Sequence, residues 1–362
     1  MTSTSKPNSS TLNAFLVGAS SALIICLAIY FGSGRLEHFD HALYYYAIGS
    51  ILGAFAVGYR FTLWSSRPPS RLYFIRGWQL LTKSGPKYAK RSPESKSAAA
   101  AIELAKSAAV NFAAQNFIRK RSYYRWIMHL CLSGGCTLAF AVTFPLVFGW
   151  VHFTTPLDNP EYYHVILLGI KVDAFDVHSI KALLMFNALN IAAIFALIGL
   201  VMAFIRRLTD AGEIATQTFY EDFLPLIIIA LVTVTGLALT VSYKFMGGQG
   251  HGTLVWIHML CVISLIFYIP FGKLFHMFQR TCALSVSMYK KAGEEEEQAV
   301  CLITGKEFAS KRHVEDMKIV LDQLGYNYRY TDEEGNEIHY ADVSPAGRRR
   351  LLALNQGKSL GR

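Results

Sequence analysis

The sequence predicts an all-α integral membrane protein of six transmembrane helices, followed by a small cytoplasmic α/β module. Three observations lead there. The 362-residue chain is 52% hydrophobic and only 17% charged, the profile of a polytopic membrane protein with soluble extensions. Six apolar stretches each approach or exceed the ~20 residues that a spanning helix needs. After Arg280 the composition turns soluble.

The expected spans are Ala14–Phe31, Ala42–Leu63, Arg125–Phe153, Ile180–Ile205, Phe223–Phe245 and Thr253–Phe275. Residues 1–41 form a Ser/Thr-rich tail and an accessory helix, with no cleavable signal pattern. Residues 42–280 form the main transmembrane domain, and it includes a basic loop over 64–124. Arg67-Pro-Pro-Ser-Arg71 ends the second span, since proline cannot continue a helix. Ser95–Arg121 reads as an Ala-rich amphipathic helix with Ile102, Ala105, Ala109, Phe112 and Ala113 on one face, suited to a membrane surface or a partner. Pro156–Val177 reads as an outward loop, and Met246–Gly252 as a Gly-rich hairpin connector.

Residues 281–362 are expected to be a cytoplasmic docking module. Glu294–Glu297 is a charge run of the kind found on solvated faces, and Phe308–Leu324 has helical periodicity. Tyr326–Tyr330 and Glu337–Tyr340 read as a β-hairpin. Ser344-Pro345 offers an N-cap and a first-turn proline for a helix running through Leu354. This α-ββ-α order resembles a small winged-helix-like unit, here for assembly and not for reading DNA.

Charge orients the chain. The segment Trp64–Arg125 holds thirteen Lys/Arg against two acids, Arg206 and Arg207 flank the fourth span, and the opposite loops are poor in basic residues. The positive-inside rule therefore puts both termini and the basic loop in the cytoplasm. The net charge of +10 reflects that topology. It suits anionic lipid or an acidic partner, with no nucleic acid implied. Six cysteines without C-x-x-C spacing give no iron–sulfur or zinc signature.

His258 and His276 lie eighteen residues apart in one apolar segment. On an unbroken helix that is five whole turns, so both imidazoles share a stripe about 27 Å long. Intramembrane histidines are costly and default to function, and this pair suggests iron ligands for two stacked haems. A bis-histidine haem needs a second imidazole at matching depth. His129, one turn inside the third span, pairs with His276. Gly134 lowers the helix wall for a flat macrocycle, and Arg125 and Lys273 are placed to meet haem propionates. For His258 the first choice of partner is His152 at the far end of the third span and the second is His41, with His38 and His178 also within reach of that face; a five-coordinate or absent outer haem stays open. Lys181, Asn187 and Lys244 are weaker candidates for quinone carbonyls.

The runs Glu221-Asp-Phe-Leu-Pro-Leu226, Thr235-Gly236, and His258 through Ile269-Pro-Phe-Gly-Lys-Leu-Phe-His276 resemble the respiratory nitrate reductase gamma subunit family of membrane b-type cytochromes. They are also similar to its heterodisulfide-reductase-like relatives. Tyr44–Gly49, Tyr59-Arg60 and His129…Gly134 extend the likeness over roughly 43–280. The resemblance implies a haem-binding bundle with one or two haems b, and quinol handled near the outer one. His129 and His276 match the inner ligands, and His258 matches one outer ligand. Where the family carries the other outer ligand, this chain has Ala139. The implied role is a subunit of a prokaryotic inner-membrane respiratory complex. It would pass electrons between quinone in the lipid bilayer and a cytoplasmic iron–sulfur subunit, alongside catalytic oxidoreductase subunits. The rival readings are a transporter or channel, against which no discontinuous helix or mid-span acid stands out, and a cofactor-free anchor.

Overall fold

The computed structural model describes residues 7–82, 105–106, 108–331, 335 and 337–359. Its helices and strands follow in chain order. Helices α1 (Pro7–Gly32), α2 (Tyr44–Ser65) and α3 (Ser70–Thr82) come first, then α4 (Tyr123–Val147). Strands β1 (Val151–Thr154), β2 (Tyr162–Leu167) and β3 (Ile170–Asp176) precede α5 (Ile180–Phe186), α6 (Ala188–Thr209) and α7 (Ala211–Thr216). Helices α8 (Leu224–Phe245), α9 (His251–Phe271) and α10 (His276–Glu294) follow. The chain ends with β4 (Gln298–Val300), β5 (Glu307–Ser310), α11 (Lys311–Gln323), β6 (Arg329–Thr331), β7 (Glu337–His339) and α12 (Pro345–Ser359).

Among the described residues six helices are long and apolar enough to cross a membrane: Ser10–Gly32, His41–Ser65, Tyr123–Val147, Ala188–Thr209, Phe219–Phe245 and His251–Phe271. The chain divides into two compact units, one of residues 1–62 and 111–278 and the other of 63–110 and 279–362.

The first unit is the helical bundle. Its tightest crossing joins α4 to α6 through small residues. A Cβ on Gly135 would fall 2.6 Å from the Ala192 carbonyl oxygen, and one on Gly199 would fall 2.5 Å from the Leu132 amide nitrogen. Small residues let helices approach where lipid supplies no hydrophobic drive between them. Leu200, Ala203, Leu226, Ile229 and Leu265 are buried in the core between α6, α8 and α9, while Leu23, Ile24, Phe195 and Leu260 stay exposed on the outside. An apolar exterior of this kind fits a lipid environment.

Four expectations for this unit are corrected. The third span stops at Val147, because Gly149 turns the chain at φ +70°, and His152 therefore sits on β1. The outward loop contains a three-stranded antiparallel sheet, β1-β2-β3. Its β2–β3 hairpin turns on Leu168 and Gly169, both at positive φ, the backbone that matches strand twist. Val165, Phe175 and Ala182 are buried beneath it. The fourth span is interrupted at Asn187, which ends α5 before α6 begins. The Ala-rich helix has Ile102 outside the described residues, and its described part breaks at Gln115, where the backbone is left-handed (φ 49°).

The second unit joins α3 to the C-terminal elements. Arg76 on α3 donates to Asp316 on α11 in a two-nitrogen pairing, with Nε 3.0 Å from Oδ2, and the Tyr289 hydroxyl donates to the same carboxylate at 2.8 Å. The expected helix, hairpin and Ser344-capped helix are present, since Gly347 N–H donates to Ser344 Oγ at 3.1 Å. Strand β4, pairing with β5, was not expected. Glu296 is a further correction to the solvated charge run: it is buried in an ion pair with Arg312, because one buried charge needs the other.

Candidate functional site

His129 is held by a closed ring of hydrogen bonds. Ser122 caps α4, accepting from Arg125 N–H at 3.4 Å, and His129 faces the turn containing buried Gln115. Ser133 Oγ donates to the His129 carbonyl at 2.6 Å and so accepts from Gln115 Nε2 at 2.8 Å. Gln115 Oε1, 2.7 Å from His129 Nδ1, can only accept. The neutral ring therefore carries its proton on Nδ1, and Nε2 is the basic nitrogen. Gly135 is consumed by the helix crossing. Gly134 is exposed, and a Cβ there would meet nothing within 4 Å.

His276 does not continue the helix of His258, which corrects the five-turn arithmetic. Helix α9 ends at Phe271 and Gly272 is extended. A Cβ on Gly272 would lie 2.1 Å from the Tyr268 ring, so the reversal needs glycine. The carbonyl of Pro270, released from helical pairing, accepts from the Arg60 guanidinium of α2. That guanidinium also lies 4.6 Å over the Phe275 ring. After one 3-10 turn His276 opens α10, with Nδ1 2.7 Å from the Lys273 carbonyl. A carbonyl only accepts, so Nε2 is again the basic atom. From His258 to the end of α9 the rise is about 20 Å. This break and the one at Asn187 qualify the expectation of uninterrupted helices, although both lie at span ends, not mid-span.

The two cations expected at haem propionates have acidic partners. Lys273 Nζ is 2.5 Å from Asp222, which also pairs with Arg207 at 3.0 Å. Arg125 lies 3.7 Å from Asp210.

His258 lies against α8. The Thr235 hydroxyl donates to a backbone carbonyl, Leu231 at 2.6 Å, and lies 2.9 Å from His258 Nδ1. The ring passes over Gly236, where a Cβ would be 3.2 Å from Cε1. His258 lines a cavity of about 500 Å³ inside the bundle, walled largely by small and apolar residues that include Ala139, Ala192, Ala193 and Ala196. The donor set and the apolar walls fit a haem with an imidazole ligand, and an Nδ1–H···O bond is the arrangement that orients metal-bound histidines.

Neither proposed partner of His258 lines this cavity. His152, on β1, stacks on His38 with ring centroids 4.0 Å apart, and its Nδ1 is buried with no hydrogen-bond partner. Burial, and then the neighbouring His38, hold its imidazole below the ordinary range. His41 is exposed in a 3-10 turn capped by Asp40. Lys181 pairs with Asp173. Lys244 donates to Asn187 Oδ1 at 3.0 Å, and Asn190 donates to the same oxygen at 3.2 Å. Asn190 itself is part of the cavity wall.

Sequence reasoning missed Gln115, Arg60 and Thr235, the residues that fix the histidines and the helix end. Among the described residues no group of three or more His, Cys, Asp or Glu is arranged to hold a metal ion, a requirement that two-imidazole ligation does not make. No family model matches this chain, no curated protein is similar enough to match it, and no solved structure matches it.

Proposed function

We propose that the chain is a membrane-anchoring b-type cytochrome subunit. It passes electrons between the quinone pool and a cytoplasmic iron–sulfur subunit of an oxidoreductase complex in a prokaryotic inner membrane, with both termini cytoplasmic. The observation that carries this reading is shared by three histidines. His129, His258 and His276 each place Nδ1 within 2.9 Å of a protein oxygen, and His129 and His258 lie within apolar spans.

In this reading His129 and His276 hold the inner haem and His258 holds an outer one. A bound haem supplies one-electron chemistry. The chain's own residues orient and insulate. Gln115, Thr235 and the Lys273 carbonyl fix each imidazole's tautomer, so that Nε2 is presented without reorganisation. The apolar wall around His258 excludes water.

The test is mutational. His129→Ala and His276→Ala are each expected to delete the same component of the dithionite-reduced minus oxidised spectrum. Loss of different components would refute the pairing.

A further inference from the structure

We infer that the group held at His258 has a single protein ligand and an open coordination position toward the cavity, where it takes a neutral diatomic ligand. The inference rests on the haem reading above and deepens it.

Among the described residues lining the cavity His258 is the one imidazole. The α4 wall offers Gly135, Ala139, Phe140 and Thr143, none of which is an iron ligand of useful strength. Cys136 and Tyr46 also line it, but a thiol or a phenol ligates as an anion. An apolar wall disfavours forming that anion. The remaining polar groups are already engaged. Thr233 donates to the Ile229 carbonyl at 2.6 Å, Thr240 to Asn190 Oδ1 at 2.9 Å, and Ser50 to the Tyr46 carbonyl at 2.8 Å. An apolar pocket with one strong donor leaves the second axial position to whatever small uncharged molecule diffuses in from lipid. In the proposed reading the inner haem is held by both His129 and His276, so it has no position to spare.

The probe is carbon monoxide, added to the dithionite-reduced, full-length protein in detergent. The expected result is a carbon monoxide difference spectrum equivalent to one haem per chain. His258→Ala should abolish it and leave the bis-histidine component intact. Ala139→His sets a second imidazole on the same wall and should suppress the carbon monoxide response without loss of haem. In the untreated oxidised protein, electron paramagnetic resonance should show a high-spin ferric signal beside the low-spin one, a readout that needs no variant. Haem that is wholly low-spin and inert to carbon monoxide overturns this inference alone. A carbon monoxide response that survives His258→Ala also overturns it. A preparation without haem overturns the proposed function and this inference together.

Discussion

At the scale of single residues, the account turns on which ring nitrogen keeps its lone pair. Gln115 decides that for His129 by accepting from Nδ1–H, and the Thr235 hydroxyl lies 2.9 Å from Nδ1 of His258. Gln115→Leu and Thr235→Val remove the oxygen and keep the bulk. Partners of this kind are worth roughly 10–100-fold in metal affinity, so each variant should purify with markedly less haem after extended washing. Haem retention equal to wild type in both would show that the tautomers are incidental. A second residue-scale effect concerns His152. Its lowered pKa means that the unfolded chain binds a proton more readily than the folded one. The stabilisation is therefore fully present above pH ~6.5 and is lost as pH falls through the depressed value. Amides of β1 and β2 should exchange faster at pH 5 than at pH 7, after correction for intrinsic rates. Equal protection at both values would show that the His38–His152 stack carries no such strain.

Among the elements, the C-terminal unit shows how one buried group can tie a helix to a strand. Cys301 is 1% exposed and receives the Ser344 N–H at 3.2 Å, at the start of α12. Burial pushes its thiol up, but donors from Ser344 and Thr304 outweigh that and bring the pKa down to about 6. The sign follows from linkage. The contribution is complete above the unfolded thiol's ~8.5 and disappears as pH falls through about 6. Cys301→Ala should therefore deprotect α12 amides more at pH 8 than at pH 5.5, and an equal loss at both would exclude a thiolate.

The elements also show what could be read from the sequence. The spans were legible because a run of some twenty apolar residues has few alternatives in water. The Ser344-Pro345 helix start was legible because capping is local. The break at Gly272 was not, since it depends on Tyr268 filling the space a Cβ would need and on Arg60, which lies 210 residues from the Pro270 carbonyl it meets. The sheet over 151–176 left a trace in Leu168-Gly169, obscured by apolar flanks that also read as helix. His129, His258 and His276 stood out as imidazoles in apolar segments. Gln115 and Thr235 left no signal, being ordinary polar residues whose role exists only once the helices pack.

For the molecule as a whole, the apolar exterior and the six long helices set the environment, and the cavity beside His258 sets the chemistry. The pocket of about 500 Å³ is lined mostly by apolar side chains, with His258 as the one imidazole among its described lining residues. A transporter would be expected to break its helices at mid-depth, where the breaks found here lie at span ends. The most direct measurement is the pyridine haemochrome content of the full-length protein purified from haem-replete cells. One or two haems b per chain are expected. A colourless protein with an intact helical spectrum would contradict the electron-transfer role.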